Sequence, residues 1–83
     1  MKPSDIRAAF LEEIARIAPD IDPATVSDDD HLQEDLELDS MDILNLVAAL
    51  DTRLGVSIPE RDYGRIATPG EAVEYLASRL AEP

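Results

Sequence analysis

Ser40 is the residue whose neighbours suggest chemistry. It sits in "LELDSMDIL", residues 36 to 44, with Glu37, Asp39 and Asp42 crowding one hydroxyl. The segment reads as the start of a helix, and serine is a good N-cap there. Asp39 caps equally well, which would move Ser40 to the first helical position and leave its hydroxyl free. A helix N-terminus carries partial positive charge and unpaired N–H groups, so it tolerates an attached phosphate. The surrounding carboxylates would repel a free anion. Covalent modification of Ser40 is therefore easier to justify there than reversible anion binding.

Other chemistry finds less support. The chain has one histidine, His31, and no Gly-x-Ser-x-Gly elbow, so a hydrolytic triad is not expected. His31 lies in an acidic stretch and reads as a solvated loop residue. Asp28, Asp29, Asp30 and His31 could hold a cation loosely. An EF-hand loop needs glycine at its sixth position, but Thr25 or Gln33 stands there, so no metal site is assigned. With no cysteine there can be no disulfide or thiol nucleophile of the chain's own. Any sulfur chemistry would need a thiol attached later.

The 83 residues fit one small domain, 1–83, with an aliphatic core, since there are two tyrosines, one phenylalanine and no tryptophan. The net charge of −12, from 19 acids and 7 bases, argues against nucleic-acid and anionic-membrane partners and for basic protein partners. Ten of the 19 acids fall between Asp20 and Asp42, where there is no lysine or arginine. That stretch reads as a landing zone for basic surfaces. No apolar run is long enough to span a membrane, and Glu12 and Glu13 interrupt any signal-peptide core. The expectation is a cytoplasmic monomer.

The elements that must position Ser40 are helical. Residues 4 to 18 form a first helix, N-capped by Ser4, with Ile6, Phe10, Ile14 and Ile17 on one stripe and Pro19 as its stop. Residues 19 to 39 make a long connection, anchored by Val26, Leu32, Leu36 and Leu38. Residues 40 to 54 form the strongest helix, its stripe being Ile43, Leu46, Val47, Leu50 and Leu54, with Gly55 beyond its end. A short helix is expected over 60 to 65. Thr68 and Glu71 make a capping box, with Pro69 at the first helical position of a last helix that runs to Leu80. Val73, Leu76 and Leu80 of that helix should face inward. The expected fold is all-α: a small four-helix bundle of three main helices and one short one, with a long loop between the first two.

With these features in order, the chain resembles the acyl carrier proteins of the phosphopantetheine-binding family over nearly its whole length. The carriers of the likeness are the acidic loop ending "HLQEDLELD", the triplet Asp39-Ser40-Met41, the helix "ILNLVAALDTRLG", then Ile58-Pro59 and the stretch from Ile66 to Tyr75. The resemblance implies 4′-phosphopantetheine on Ser40, with Asp39 beside it, installed by a phosphopantetheinyl transferase. Its thiol would carry acyl intermediates as thioesters between enzymes, and the protein itself would not be an enzyme. The resemblance also implies a docking face for acyl-loading and acyl-processing enzymes with basic surfaces. Met41, Leu44 and Ala48 would supply apolar contacts, and Glu37, Asp42 and Asp51 charge. Asn45 and Thr52 stand where fatty-acid-synthesis carriers often have glutamate, and Leu38 where a small residue is common. Those departures point towards a specialised carrier. Fatty-acyl, polyketide and aminoacyl or peptidyl cargo remain open, and an acidic interaction module is the reading from a different class.

Overall fold

A computed structural model describes residues 1–81. Three α-helices, α1 (Pro3–Ile17), α2 (Ser40–Leu54) and α3 (Pro69–Leu80), alternate with two 3-10 helices, Pro23–Thr25 and Glu60–Ile66. No strand occurs among the described residues. The all-α bundle read from the periodicity is the fold. Helix α1 packs against both α2 and α3, and α3 also packs against Glu60–Ile66.

Each helix begins and ends for a local reason. Helix α1 starts earlier than Ser4: Lys2 occupies the N-cap position without a side-chain cap, and Pro3 opens the helix. Proline lacks the N–H that would be unpaired there, and its fixed φ already suits a helix, so it takes the first position. Ser4 is therefore an exposed first-turn residue. The last helical residue is Ile17, one before the expected end, with Ala18 already out of helical conformation. Helix α2 ends at Gly55, which adopts φ 71°, a left-handed conformation glycine enters cheaply. Helix α3 starts as expected, the Thr68 hydroxyl accepting from Glu71 N at 3.2 Å with Pro69 at its first position. The expected short helix over 60 to 65 is a 3-10 segment extending to Ile66.

The core is aliphatic around two aromatic rings, Phe10 and Tyr75. Ile6, Phe10 and Ile14 of α1 meet Leu46 and Leu50 of α2, with Leu76 of α3 and Ile66 beside them, all shielded from solvent. Burying side chains of this size contributes about 1.5–3 kcal/mol each. Ile43, Val47, Leu54, Val73 and Leu80 pack on its flanks and are only partly buried. The centre of the α3 face falls on Ala72, Tyr75 and Leu76 instead of on Val73 and Leu80. Tyr75 brings a polar tip inside. Its hydroxyl donates to Asp62 Oδ2 at 2.7 Å and accepts from Arg79 Nη1 at 2.8 Å, which ties the Glu60–Ile66 segment to α3. Burial pushes the Tyr75 phenol above its ordinary range and the Asp62 bond adds to that, while Arg79 opposes it.

The long connection is pinned at intervals. Val26, Leu32 and Leu38 are buried and Leu36 is partly so. Leu32 N donates to Ala67 O at 2.9 Å and Leu38 N to Leu32 O at 3.0 Å. Arg7 of α1 reaches across to Asp28 Oδ1 at 2.7 Å and to Val26 O at 3.1 Å. Gly70 N donates to Asp28 O at 3.0 Å, and a Cβ on Gly70 would stand 3.2 Å from that oxygen. Glycine thus lets the loop backbone lie against the start of α3. These ties answer how a connection this long stays ordered.

Candidate functional site

The loop delivers the chain to α2 through Leu38. Its side chain is buried, so Asp39 and Ser40, which follow, are held at the surface. Asp39 is the N-cap. Its Oδ1 accepts from Asp42 N at 2.8 Å, and Asp42 Oδ2 accepts in return from Asp39 N at 3.1 Å. This reciprocal box pairs two N–H groups that a helix start otherwise leaves open. Ser40 stands at the first helical position, exposed. Among the described residues its hydroxyl has no hydrogen-bond partner. Capping has been taken over by the carboxylate before it, so the hydroxyl is left available for chemistry.

Beside Ser40 opens a cleft of about 430 Å³, between α2 and the Glu60–Ile66 segment. Ile43, Leu44, Ile66 and Ala67 give it apolar walls, with His31 and Tyr63 among its lining residues. A chain attached at Ser40 therefore starts at the mouth of a mostly apolar recess. The free hydroxyl, the helix dipole behind it and the adjoining recess all fit a covalently attached phosphate-linked arm. Among the described residues no group of acids and histidine is placed to hold a metal ion. None of the helices among them is long and apolar enough to cross a membrane.

The other residues singled out in the sequence are spread along α2 and the loop before it. Met41 and Leu44 are large apolar side chains left open to solvent, at 62% and 45% exposure. Leu44 also borders the cleft, so it belongs to both surfaces. Ala48 lies a turn further on, in a groove shared with Glu12, Glu13 and Arg53, and not at the cleft. Asp51 is exposed near the end of α2, where its Oδ2 accepts from the Ser57 hydroxyl at 3.2 Å. Glu37 is exposed and holds φ 60°, a left-handed backbone that costs a residue with a Cβ about 1–2 kcal/mol. It makes the bend that turns Leu38 inward.

Two features were not legible before. Asp42 as a capping partner had a signal, the acid-x-x-acid spacing from Asp39, but the pattern usually sought ends in Glu or Gln. His31 is the larger surprise. It is half-buried and borders the same cleft as Ser40. Its Nδ1 accepts from Gln33 N and Glu34 N, both at 3.3 Å, and its own N donates to Asp35 Oδ2 at 2.7 Å. The solvated loop histidine expected from its acidic neighbours is instead the organiser of a tight turn.

Among the described residues the small helical bundle thus offers an unpartnered serine hydroxyl at a capped helix start. The family described as "Phosphopantetheine attachment site" matches residues 6–76. An acyl carrier protein of Wolinella succinogenes is 32% identical over 72 residues, 87% of this chain and 88% of its own length. One from Rubrobacter xylanophilus is 34% identical, covering 84% and 90% respectively. One from Lactobacillus johnsonii is 41% identical over 58 residues, covering 70% and 72%. The chain belongs to the acyl carrier protein family. The cofactor of this family is covalently attached 4′-phosphopantetheine.

Proposed function

We propose that Ser40 is the attachment residue and that the protein shuttles acyl groups between the enzymes that load and process them. The observation that supports this most is the division of labour at the start of α2. Asp39 and Asp42 satisfy the helix start between them, and Ser40 is exposed with no partner among the described residues. In this reading a phosphopantetheinyl transferase, with CoA and Mg²⁺, directs the Ser40 oxygen onto the CoA pyrophosphate. The Ser40 O–P bond forms as the P–O–P link of CoA breaks; adenosine 3′,5′-bisphosphate leaves with the magnesium, the hydroxyl proton passes to the transferase or solvent, and a phosphodiester to Ser40 results. When bound, the group supplies a thiol that holds cargo as a thioester, chemistry the cysteine-free chain lacks.

The protein's own residues orient that arm and present it. The N-terminal dipole of α2 lies behind the phosphate position, and the cleft walls Ile43, Leu44 and Ile66 offer an apolar surface along which an arm can lie. Met41 and Leu44 form an exposed apolar spot beside Ser40, with Glu37, Asp39 and Asp42 around it. A partner enzyme with a basic rim and an apolar centre matches that layout. Ala48 and Asp51 extend the same contact along α2. The apolar lining of the cleft and the names of the relatives support acyl cargo over aminoacyl cargo.

The test is modification in vitro. Incubation with CoA, Mg²⁺ and a broad-specificity transferase should add one phosphopantetheinyl group by intact-mass spectrometry. Ser40→Ala should remove the gain completely. A wild-type protein that stays unmodified while a control carrier is converted would overturn the proposal.

A further inference from the structure

The start of α2 is short of positive charge. Glu37, Asp39 and Asp42 surround Ser40, and none of the seven lysines and arginines lines the adjoining cleft. A phosphodiester on Ser40 would add another negative charge. At the helix start the capping box takes the Asp39 and Asp42 N–H groups, which leaves the partial charge of the α2 N-terminus and no side-chain cation to face that phosphate. One side chain at the cleft can both donate and accept a proton near neutrality, and it is His31, the chain's only histidine.

The local structure of His31 decides which ring nitrogen is available. Nδ1 accepts two backbone N–H groups, from Gln33 and Glu34. An accepting nitrogen carries no hydrogen, so a neutral ring in this position holds its proton on Nε2. Nε2 is therefore a donor whose orientation is set by the turn. Leu32 follows His31, Leu38 stands two residues before Ser40, and the two leucines are joined backbone to backbone at 3.0 Å, which brings the His31 turn alongside the chain entering α2.

We propose that His31 is a positioning residue for the prosthetic group, its Nε2–H donating to the phosphodiester on Ser40. The proposal rests on Ser40 being the attachment site. A hydrogen bond to a charged oxygen is shorter and stronger than a neutral one, so even one such contact would orient the root of the arm towards the cleft. Opposing groups are present on every side. Glu34 and Asp35 lie on the histidine's own turn, Asp39 and Asp42 on α2, and Glu60 and Tyr63 on the far wall. The neutral and the charged ring both carry the Nε2 proton, so the contact survives either state and strengthens when the ring is charged.

The experiment uses intact protein carrying the phosphopantetheinyl group, its attachment first established by mass. The ³¹P resonance is followed over roughly pH 5 to 8, where imidazole is the side chain that ordinarily changes charge. The expected result is an inflection that tracks the His31 ring protons, with Overhauser contacts between the ring and the methylene next to the phosphate. His31→Ser is the informative variant: serine can still cap the turn through its oxygen, but it has no ring. Once it carries the group, it should keep its helical circular dichroism and lose the ³¹P inflection. A flat ³¹P profile in the wild type, or an inflection without ring contacts, would overturn the proposal and leave Ser40 attachment standing. Failure to load the group at all would instead overturn the attachment reading.

Discussion

The two ends of α2 handle charge in opposite ways. At the C-terminal end Arg53 reaches across to α1, donating to Glu12 Oε1 and Glu13 Oε2, each at 2.8 Å. Glu13 is buried, with its side chain 5% exposed, and Arg16 adds a longer contact at 3.4 Å. Bonds from Glu12 and then Glu13 raise the Arg53 guanidinium above its ordinary range. At the N-terminal end neither Asp39 nor Asp42 forms an ion pair among the described residues. Asp39 and Asp42 spend their carboxylates on backbone N–H groups of their own turn. One end is therefore tied to the bundle by a cross-helix ion cluster. The other is stabilised only by itself and presents its remaining acid and apolar surface outward. Under the proposed shuttling role, the first end suits anchoring and the second suits presentation.

The largest effect on stability should come from breaking the anchored end. Arg53→Met leaves the buried Glu13 carboxylate with the Arg16 contact alone, and an uncompensated buried charge is strongly destabilising. It should lower the thermal midpoint more than either substitution below, while modification of Ser40 proceeds as in the wild type. A midpoint equal to wild type would show that the two ends are not held differently.

Asp39→Ala should cost less, about 1 kcal/mol, which is the usual cost of losing an N-cap. For a domain of this size that is a drop of about 4–8 °C in midpoint. Asp39→Asn, which can still accept from Asp42 N, should recover most of it. If Asn and Ala behave alike, the carboxylate charge and not the cap matters at this end. The smallest effect should come from Glu37→Gly. Relief of about 1–2 kcal/mol of left-handed strain is partly offset by about 1 kcal/mol of added backbone freedom in the unfolded chain. A small rise in chemical-denaturation midpoint is expected, and a fall would mean that Glu37 makes contacts that outweigh its strain.

Much of this was legible in local sequence. Gly55, the Thr68–Glu71 box and Pro69 are signals confined to a few consecutive residues, and each appears where those residues place it. Asp39 as cap and Ser40 as the free residue after it were likewise readable, because capping depends on a single turn. Pro3 is the exception among local signals: it takes the first helical position and leaves Ser4, the residue type that usually caps, inside the first turn.

What the tertiary structure alone decided involves partners far apart in the chain. Arg53 finds Glu12 and Glu13 forty or more positions away, and Tyr75 finds Asp62. No periodicity specifies such pairs, since they depend on how helix faces rotate when the core closes. The same holds for His31. Its acidic neighbours suggested solvent, but Leu32, held beside Ala67 and Leu38, carries it to the edge of the Ser40 cleft. Composition and spacing determined a helical bundle with a hydroxyl available at the start of its second long helix. Packing determined what surrounds that hydroxyl, because a cleft exists only where separate segments meet.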